Sequence, residues 1–205
     1  ELIEMLDEYD WYGVSREDGK EGGESTAILY RTKRFESKEK HTLWLSETPE
    51  QVSKGWDAMY KRTVTIIKLK DLMSSKEFYY FNTHFDHIGE TARTESSRLL
   101  INKIAKYSAD YPIILSGDFN YTSNSEGYKI ITSKLSDSKY ISKAESIGGN
   151  ITFNGFGNDI KPDNKIDFIF VNNKVEVLNH IIDTTTFNVL YPSDHYPVIA
   201  EILFK

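Results

Sequence analysis

Four apolar runs in this chain are each bounded at one end by polar side chains of the same few kinds. EFYYFNTH (77–84) closes on Asn82, Thr83 and His84, and PIILSGDFN (112–120) passes through Ser116 and Gly117 to Asp118 and Asn120. KIDFIFV (165–171) carries Asp167 near its start, and HYPVIAEILF (195–204) begins at His195, directly after Ser193 and Asp194. Runs of β-branched and aromatic residues punctuated in this way read as strands. Two of them end at their polar cluster and two begin there. A site shared by all four therefore needs strands of opposite direction. That favours a mixed or antiparallel arrangement over a doubly wound parallel sheet, whose sites gather at strand carboxyl ends.

The remaining chain fits around these strands. TAILY (26–30), HTLWLSE (41–47), TVTIIKLK (63–70) and VEVLNHII (175–182) read as further strands. GETARTESSRLLINKIAKYSA (89–109) is a helix with Ser97, Leu100, Ile101, Ile104 and Ala105 along one stripe. SEGYKIITSKL (125–135) reads as a second helix, with Ser125 as its cap. SREDGKEGGES (15–25) is a polar, Gly-rich loop. ELIEMLDEYD at the start places Leu2, Ile3 and Leu6 at helical spacing with no cap ahead, so it reads as a helix entered part-way. With no internal repeat or long linker, residues 1–205 are expected to form one domain, shortened at its N-terminus.

Composition narrows the chemistry. The 205 residues include no cysteine, which excludes disulfides and thiolate metal sites. A formal charge of −6 is a poor match to coating long nucleic acid by charge alone, although Lys33, Arg34 and Lys38 offer a local basic patch. No apolar run approaches the roughly 20 residues of a membrane span. Neither G-x-S-x-G nor the G-x-x-x-x-G-K-[ST] phosphate loop occurs. Each polar group also has a plain structural use. Asp118 and Asn120 suit a turn after a strand, His84 suits a core histidine, and Asp194 with His195 suits a loop. Asp167 is harder to place so simply, because a carboxylate inside an apolar run needs a partner or a metal. Their co-occurrence at four strand ends argues for a site. Carboxylates and an amide oxygen are hard ligands suited to Mg²⁺ or Mn²⁺. A histidine held by an aspartate, with Asp167 and His195 as the candidate pair, can donate to phosphate oxygens or move protons. The set points to hydrolysis of a phosphate ester by an activated water. His41 and His180 have no acidic company in the sequence and receive no role.

NTHFDH (82–87), SGDFN (116–120), KIDFIF (165–170) and SDHYPV (193–198), in that order, resemble the endonuclease/exonuclease/phosphatase superfamily with its deoxyribonuclease I-like fold. GGESTAILYR (22–31) and KRTVTIIKLK (61–70) are similar as well. The resemblance implies an α/β (α+β) four-layer sandwich of two mixed β-sheets packed face to face with helices outside. It also implies Mg²⁺-dependent (or Mn²⁺-dependent) cleavage of a phosphodiester or phosphomonoester. His84 looks like the first histidine near the scissile phosphate. Asp118 and Asn120 look like the pair that orients water and helps to hold metal. Asp167 resembles the acid bracing the last histidine, Asp194 a metal ligand, and His195 the phosphate-contacting histidine. Arg62, Asp86 and His87 are expected on the substrate side.

The family's opening strand and its metal-binding Gln-Glu motif have no counterpart here. Glu1 and Glu4 do not match it, and Glu17, Glu21 and Glu24 fall in the polar loop. An alternative reading is therefore a catalytically impaired binding module that keeps the fold. The expected partner is a phosphate-ester substrate, whether nucleic acid, lipid headgroup or small ester, bound by a monomer without a membrane span.

Overall fold

A computed structural model of the protein describes residues 5–158 and 160–205. In chain order the strands and helices are β1 (Tyr9–Tyr12), β2 (Ile28–Arg31), β3 (Phe35–Trp44), β4 (Thr63–Asp71), β5 (Glu77–His84), α1 (Glu90–Ile104), β6 (Ile113–Asp118), α2 (Glu126–Thr132), β7 (Ser136–Asp137), α3 (Ser138–Ile141), β8 (Asp167–Val171), β9 (Val175–Ile182) and β10 (Val198–Phe204). Six strands form one mixed sheet in the order β3-β4-β5-β6-β8-β7. Only β5 and β6 run parallel within it, joined by the α1 crossover that a parallel pair requires. The second layer of strands consists of two separate ladders, β1-β2 and β9-β10.

Both faces of the large sheet are covered, which explains why its central strands read as continuous apolar runs rather than alternating ones. One face packs Val64, Ile66, Phe81 and Leu115 against Leu100 and Ile104 of α1 and Ile131 of α2. The other packs Ile67, Leu69, Phe78 and Ile114 against Ile28 and Tyr30 of β2 and Val175 and Val177 of β9. The stripe expected on α1 is the buried one, with Ser97, Leu100, Ile101 and Ile104 inward. No side chain of the helix's own N-cap, Gly89, closes its first turn. Asp57 does so from a distant loop, accepting from the amides of Thr91 and Ala92 at 3.2 and 2.7 Å. Ser125 caps α2 as expected, through its Oγ and the Tyr128 amide at 3.1 Å.

Several expectations are corrected. Leu2 and Ile3 lie outside the described residues, and the supposed opening helix gives way to a turn and then β1 by Tyr9. From Tyr9 the chain pairs with β2, where Tyr9 faces Arg31 and Tyr12 faces Ile28. β3 begins six residues before the expected His41, because its charged stretch forms the sheet's exposed edge. β10 begins at Val198 rather than His195. Pro197 has no amide to give a ladder, and Tyr196 donates instead to the Thr152 carbonyl at 2.7 Å.

Between β2 and β10, whose facing edges are both unpaired among the described residues, runs a groove of about 940 Å³. Tyr30, Phe78 and Phe204 line it. No described helix is long and apolar enough to cross a membrane.

Gly117 is the position the sheet tolerates least. Its φ is +151°, and a Cβ there would lie 2.0 Å from the Thr83 carbonyl oxygen on the paired strand. Gly149, with φ +78°, has nothing within 4 Å of the same atom. Gly117→Ala is expected to lose about 3 kcal/mol or more in urea unfolding. Gly149→Ala should lose only about 1 kcal/mol from its backbone conformation.

Candidate active site

Strand register brings the polar residues together. His84 ends β5, Asp118 ends β6 and Asp167 opens β8. His84 is paired with Asp118 across the parallel ladder, and Asp118 with Asp167 across the antiparallel one. The three side chains therefore form a row across adjacent strands. Each is followed in sequence by a core phenylalanine on the opposite face, Phe85, Phe119 and Phe168, as the period of two demands. Phe119 stands at the centre of that trio, edge-on to Phe85 at 5.0 Å and to Phe168 at 5.8 Å.

His195 enters from the connection before β10. Its Nδ1 lies 2.8 Å from Asp167 Oδ2 and its Nε2 4.0 Å from Asp118 Oδ2. The same Asp118 oxygen is 3.3 Å from His84 Nε2. A single carboxylate oxygen thus sits between two imidazoles. Asn120 is held beside it, its amide donating to Asp118 Oδ1 at 2.8 Å and its side chain to the Phe85 carbonyl at 3.0 Å. Asn120 has φ +50°, a conformation that asparagine tolerates better than most residues. The row lines a cleft of about 590 Å³, together with Ser25, Thr26 and Asn82.

The two histidines are tuned in opposite directions. Burial, reinforced by the charges of Arg62 and Arg16, pushes His84 down to about 3, so it is neutral at ordinary pH. Burial acts against His195 too, but the hydrogen bond and charge of Asp167, with the charge of Asp118, outweigh it and raise its pKa. Asp118 is pushed up to about 7, first by burial and then by the Asp167 charge. With His84 neutral, its 3.3 Å approach to Asp118 is not an ion pair of two charged groups.

The remaining expected site residues fall in different places. Arg62 lies by the cleft, 5% exposed, with Nη2 at 3.2 Å from His87 Nδ1. His87 is exposed and stacks on Tyr60, ring centres 5.7 Å apart. Asp86 is not available to a substrate. It is 2% exposed, and it accepts from the amides of Tyr60, Ile88 and Gly89 at 3.1, 3.0 and 2.8 Å. Its Oδ2 lies 3.5 Å from Arg62 Nε. Burial would raise its pKa, but those amides hold it well below the usual carboxylate range. Asp86 is thus a brace for Arg62. Asp194 stands apart from the acidic group as well. Its carbonyl accepts from Asn154 and Gly155, and the described side chains close enough to share a metal ion are Asp118, Asp167 and His195.

Sequence reasoning passed over Arg16 and Tyr60. Arg16 sits in the loop read as solvated, yet its carbonyl is anchored by the Trp44 indole at 2.7 Å and its guanidinium lies over the Tyr60 ring. No spacing signal marks it, because the loop is shaped by its own turns.

Acids, an amide and imidazoles on strand ends, in a cleft of this size, constitute the kind of site that handles phosphate esters. The sequence profile of the Endonuclease/Exonuclease/phosphatase family matches residues 3–195, and the chain belongs to that family. A family protein from Bacteroides thetaiotaomicron is similar in structure, at TM-score 0.93 and 39% identity over 100% of this chain and 78% of that one. A Bacteroides thetaiotaomicron mannosyl-6-phosphatase is similar at TM-score 0.90 and 37% identity, over 99% and 81%. An uncharacterized protein of Acanthamoeba polyphaga mimivirus is 32% identical over 123 residues, which are 58% of this chain and 46% of that protein. The match thus spans less than half of the viral relative.

Two substitutions check this geometry. Asp86→Asn should destabilise the fold by about 3 kcal/mol in denaturant unfolding, since it leaves the buried Arg62 charge without its partner. Asp167→Asn should lower the pKa of His195, read from imidazole NMR shifts against pH, because the bond and charge that favour the imidazolium are removed.

Proposed function

We propose that the protein is a metal-assisted phosphoesterase that hydrolyses a phosphomonoester of a small sugar by attack of an activated water. The observation that carries this reading is the Asp118 carboxylate oxygen lying between His84 and His195, with Asp167 holding the far nitrogen of His195. The mannosyl-6-phosphatase similarity supports the substrate class, and a net charge of −6 tilts against long duplex nucleic acid.

The donor set fits a hard divalent cation. Burial, and after it the charge of neighbouring Asp167, pushes Asp118 up to about 7. Beside such an ion Asp118 would favour its ionised form. Asp118 and Asp167 are the carboxylates that would hold Mg²⁺ or Mn²⁺, with Asn120 bonded beside Asp118. When bound, the ion supplies neutralisation of charge on the phosphoryl and leaving-group oxygens.

The chain's own residues do the rest. Ionised Asp118, oriented by its bond from the Asn120 amide, accepts a proton from the attacking water. His195 is fixed by Asp167 so that Nε2 faces the cleft, and its raised pKa keeps it able to donate to a phosphoryl oxygen. Neutral His84 orients a water or a phosphate oxygen beside Asp118 without adding charge. Arg62, braced by Asp86, offers a fixed positive charge from the side.

The test is turnover with Mg²⁺ or Mn²⁺, and with chelator, of mannose 6-phosphate, glucose 6-phosphate, bis-p-nitrophenyl phosphate and plasmid DNA. Metal-dependent release of phosphate from the sugar esters, with less turnover of the diesters, is the expected result. Preferred cleavage of DNA would replace the substrate class, and silence on every substrate would overturn the enzyme reading. His195→Ala should lower kcat by about 100-fold or more if this histidine donates to a phosphoryl oxygen in the transition state.

A further inference from the structure

Beside the cleft lies a second, much smaller cavity of about 20 Å³, roughly the room that one water-sized oxygen needs. It shares Ser25, Thr26 and His84 with the cleft and adds Arg16, Arg62 and Glu24. Arg62 is nine-tenths buried and incompletely satisfied. Its Nη1 has no hydrogen-bond partner, and its Nε approaches Asp86 at 3.5 Å without bonding geometry. A buried donor with no acceptor costs stability unless something fills the place. Arg16 is largely buried too, and both guanidiniums lie against one face-forming residue, Tyr60, at 5.2 and 5.9 Å from its ring centre.

The charges around the cavity are unevenly available. Asp86 has its negative charge absorbed by backbone amides. Glu17 is shared between Arg16 and Lys61, both at 3.3 Å. Glu24, at 2.6 Å from Arg16, has a side chain 64% exposed, so water screens its pull. Two guanidiniums whose like charges repel, lining one cavity with room for a single oxygen, make a place for an anion.

We propose that Arg16 joins Arg62 to form a pocket for one oxygen of a terminal, dianionic phosphate, and that this pocket gives the protein its preference for phosphomonoesters over phosphodiesters. The inference rests on the phosphoesterase reading for its consequence in turnover, although the anion site itself stands on the geometry. A monoester carries about −1.5 to −2 near neutrality, whereas a diester carries a single charge. A second guanidinium therefore adds more to the first than to the second. Arg16 is held ready for this by the Trp44 bond to its carbonyl and by the loop's own hydrogen bonds, among them the Arg16 amide to the Glu24 carbonyl at 2.9 Å.

The experiment compares the protein with Arg16→Gln, Arg16→Lys and, as a control, Arg98→Gln on the exposed side of α1. Two readouts are taken. One is binding of inorganic phosphate and of dimethyl phosphate by calorimetry, and the other is kcat/KM for mannose 6-phosphate and bis-p-nitrophenyl phosphate. Arg16→Gln should weaken phosphate binding and lower the monoester kcat/KM by about tenfold or more, while moving both diester values less than about threefold. Arg16→Lys should recover part of the loss, and Arg98→Gln none of it, since it loses nothing. Equal losses on monoester and diester, or unchanged phosphate binding with a folded Arg16→Gln variant, would overturn the proposal. Should neither ester be hydrolysed by the unaltered protein, the phosphoesterase reading fails, and Arg16-dependent phosphate binding still decides whether the pocket exists.

Discussion

The pairing of β5, β6 and β8 at their polar ends is the constraint on which everything else in this molecule depends. His84, Asp118 and Asp167 stand level because the strands are in register there. They cannot slip by one residue without exchanging the polar row for Phe85, Phe119 and Phe168, which are each almost wholly buried. The cost of exposing three packed phenylalanines, about 2 kcal/mol each, is what holds three hydrophilic groups in line. Gly117 allows this closeness, since the Thr83 carbonyl occupies the space a side chain would need. Site geometry and core packing are two faces of the same sheet.

The electrostatics follow from where that row sits. Burial, reinforced by the charges of Arg62 and Arg16 beside one end of the cleft, keeps His84 neutral. The other end holds Asp167, and it favours the charged form of His195. Groups of one kind whose environments drive their pKa values apart usually divide the acid and base work between them. Here the division runs along the row, with Asp118 between the two. The row has a direction, from the fixed charge of Arg62 and Arg16 to an imidazole whose charged form Asp167 favours, with the crowded acids between them.

Much of this was legible in the chain and some was not. The strand ends were readable because polar residues interrupting β-branched and aromatic runs stand out, and the inference that two strands run against the others follows from which end each cluster occupies. β8 indeed runs antiparallel to β6. Asp86 was misleading because an acid beside the site motif looks placed for substrate, while its environment, backbone amides and a buried arginine, is visible only in three dimensions. β1, β7 and α3 escaped notice because strands and helices of two to four residues carry too little periodicity to register. Arg16 escaped because a loop that folds upon itself leaves no repeating pattern. Asp18, accepting from the amides of Lys20 and Gly22, is the organiser of that loop, and its residue type is as common in solvated turns.

The groove between β2 and β10 connects these points. It opens into the cleft through Ala27, Asn82 and Ser116, which line both. Among the described residues neither β2 nor β10 bonds across it. The two ladders are therefore held at their spacing by the apolar face of the large sheet and not by each other. Thr26, just before β2, and His195, just before β10, both line the cleft. The β2 and β9 ladders are seated on the large sheet by Ile67, Leu69, Phe78 and Ile114, so packing in that floor positions the connections that carry Thr26 and His195.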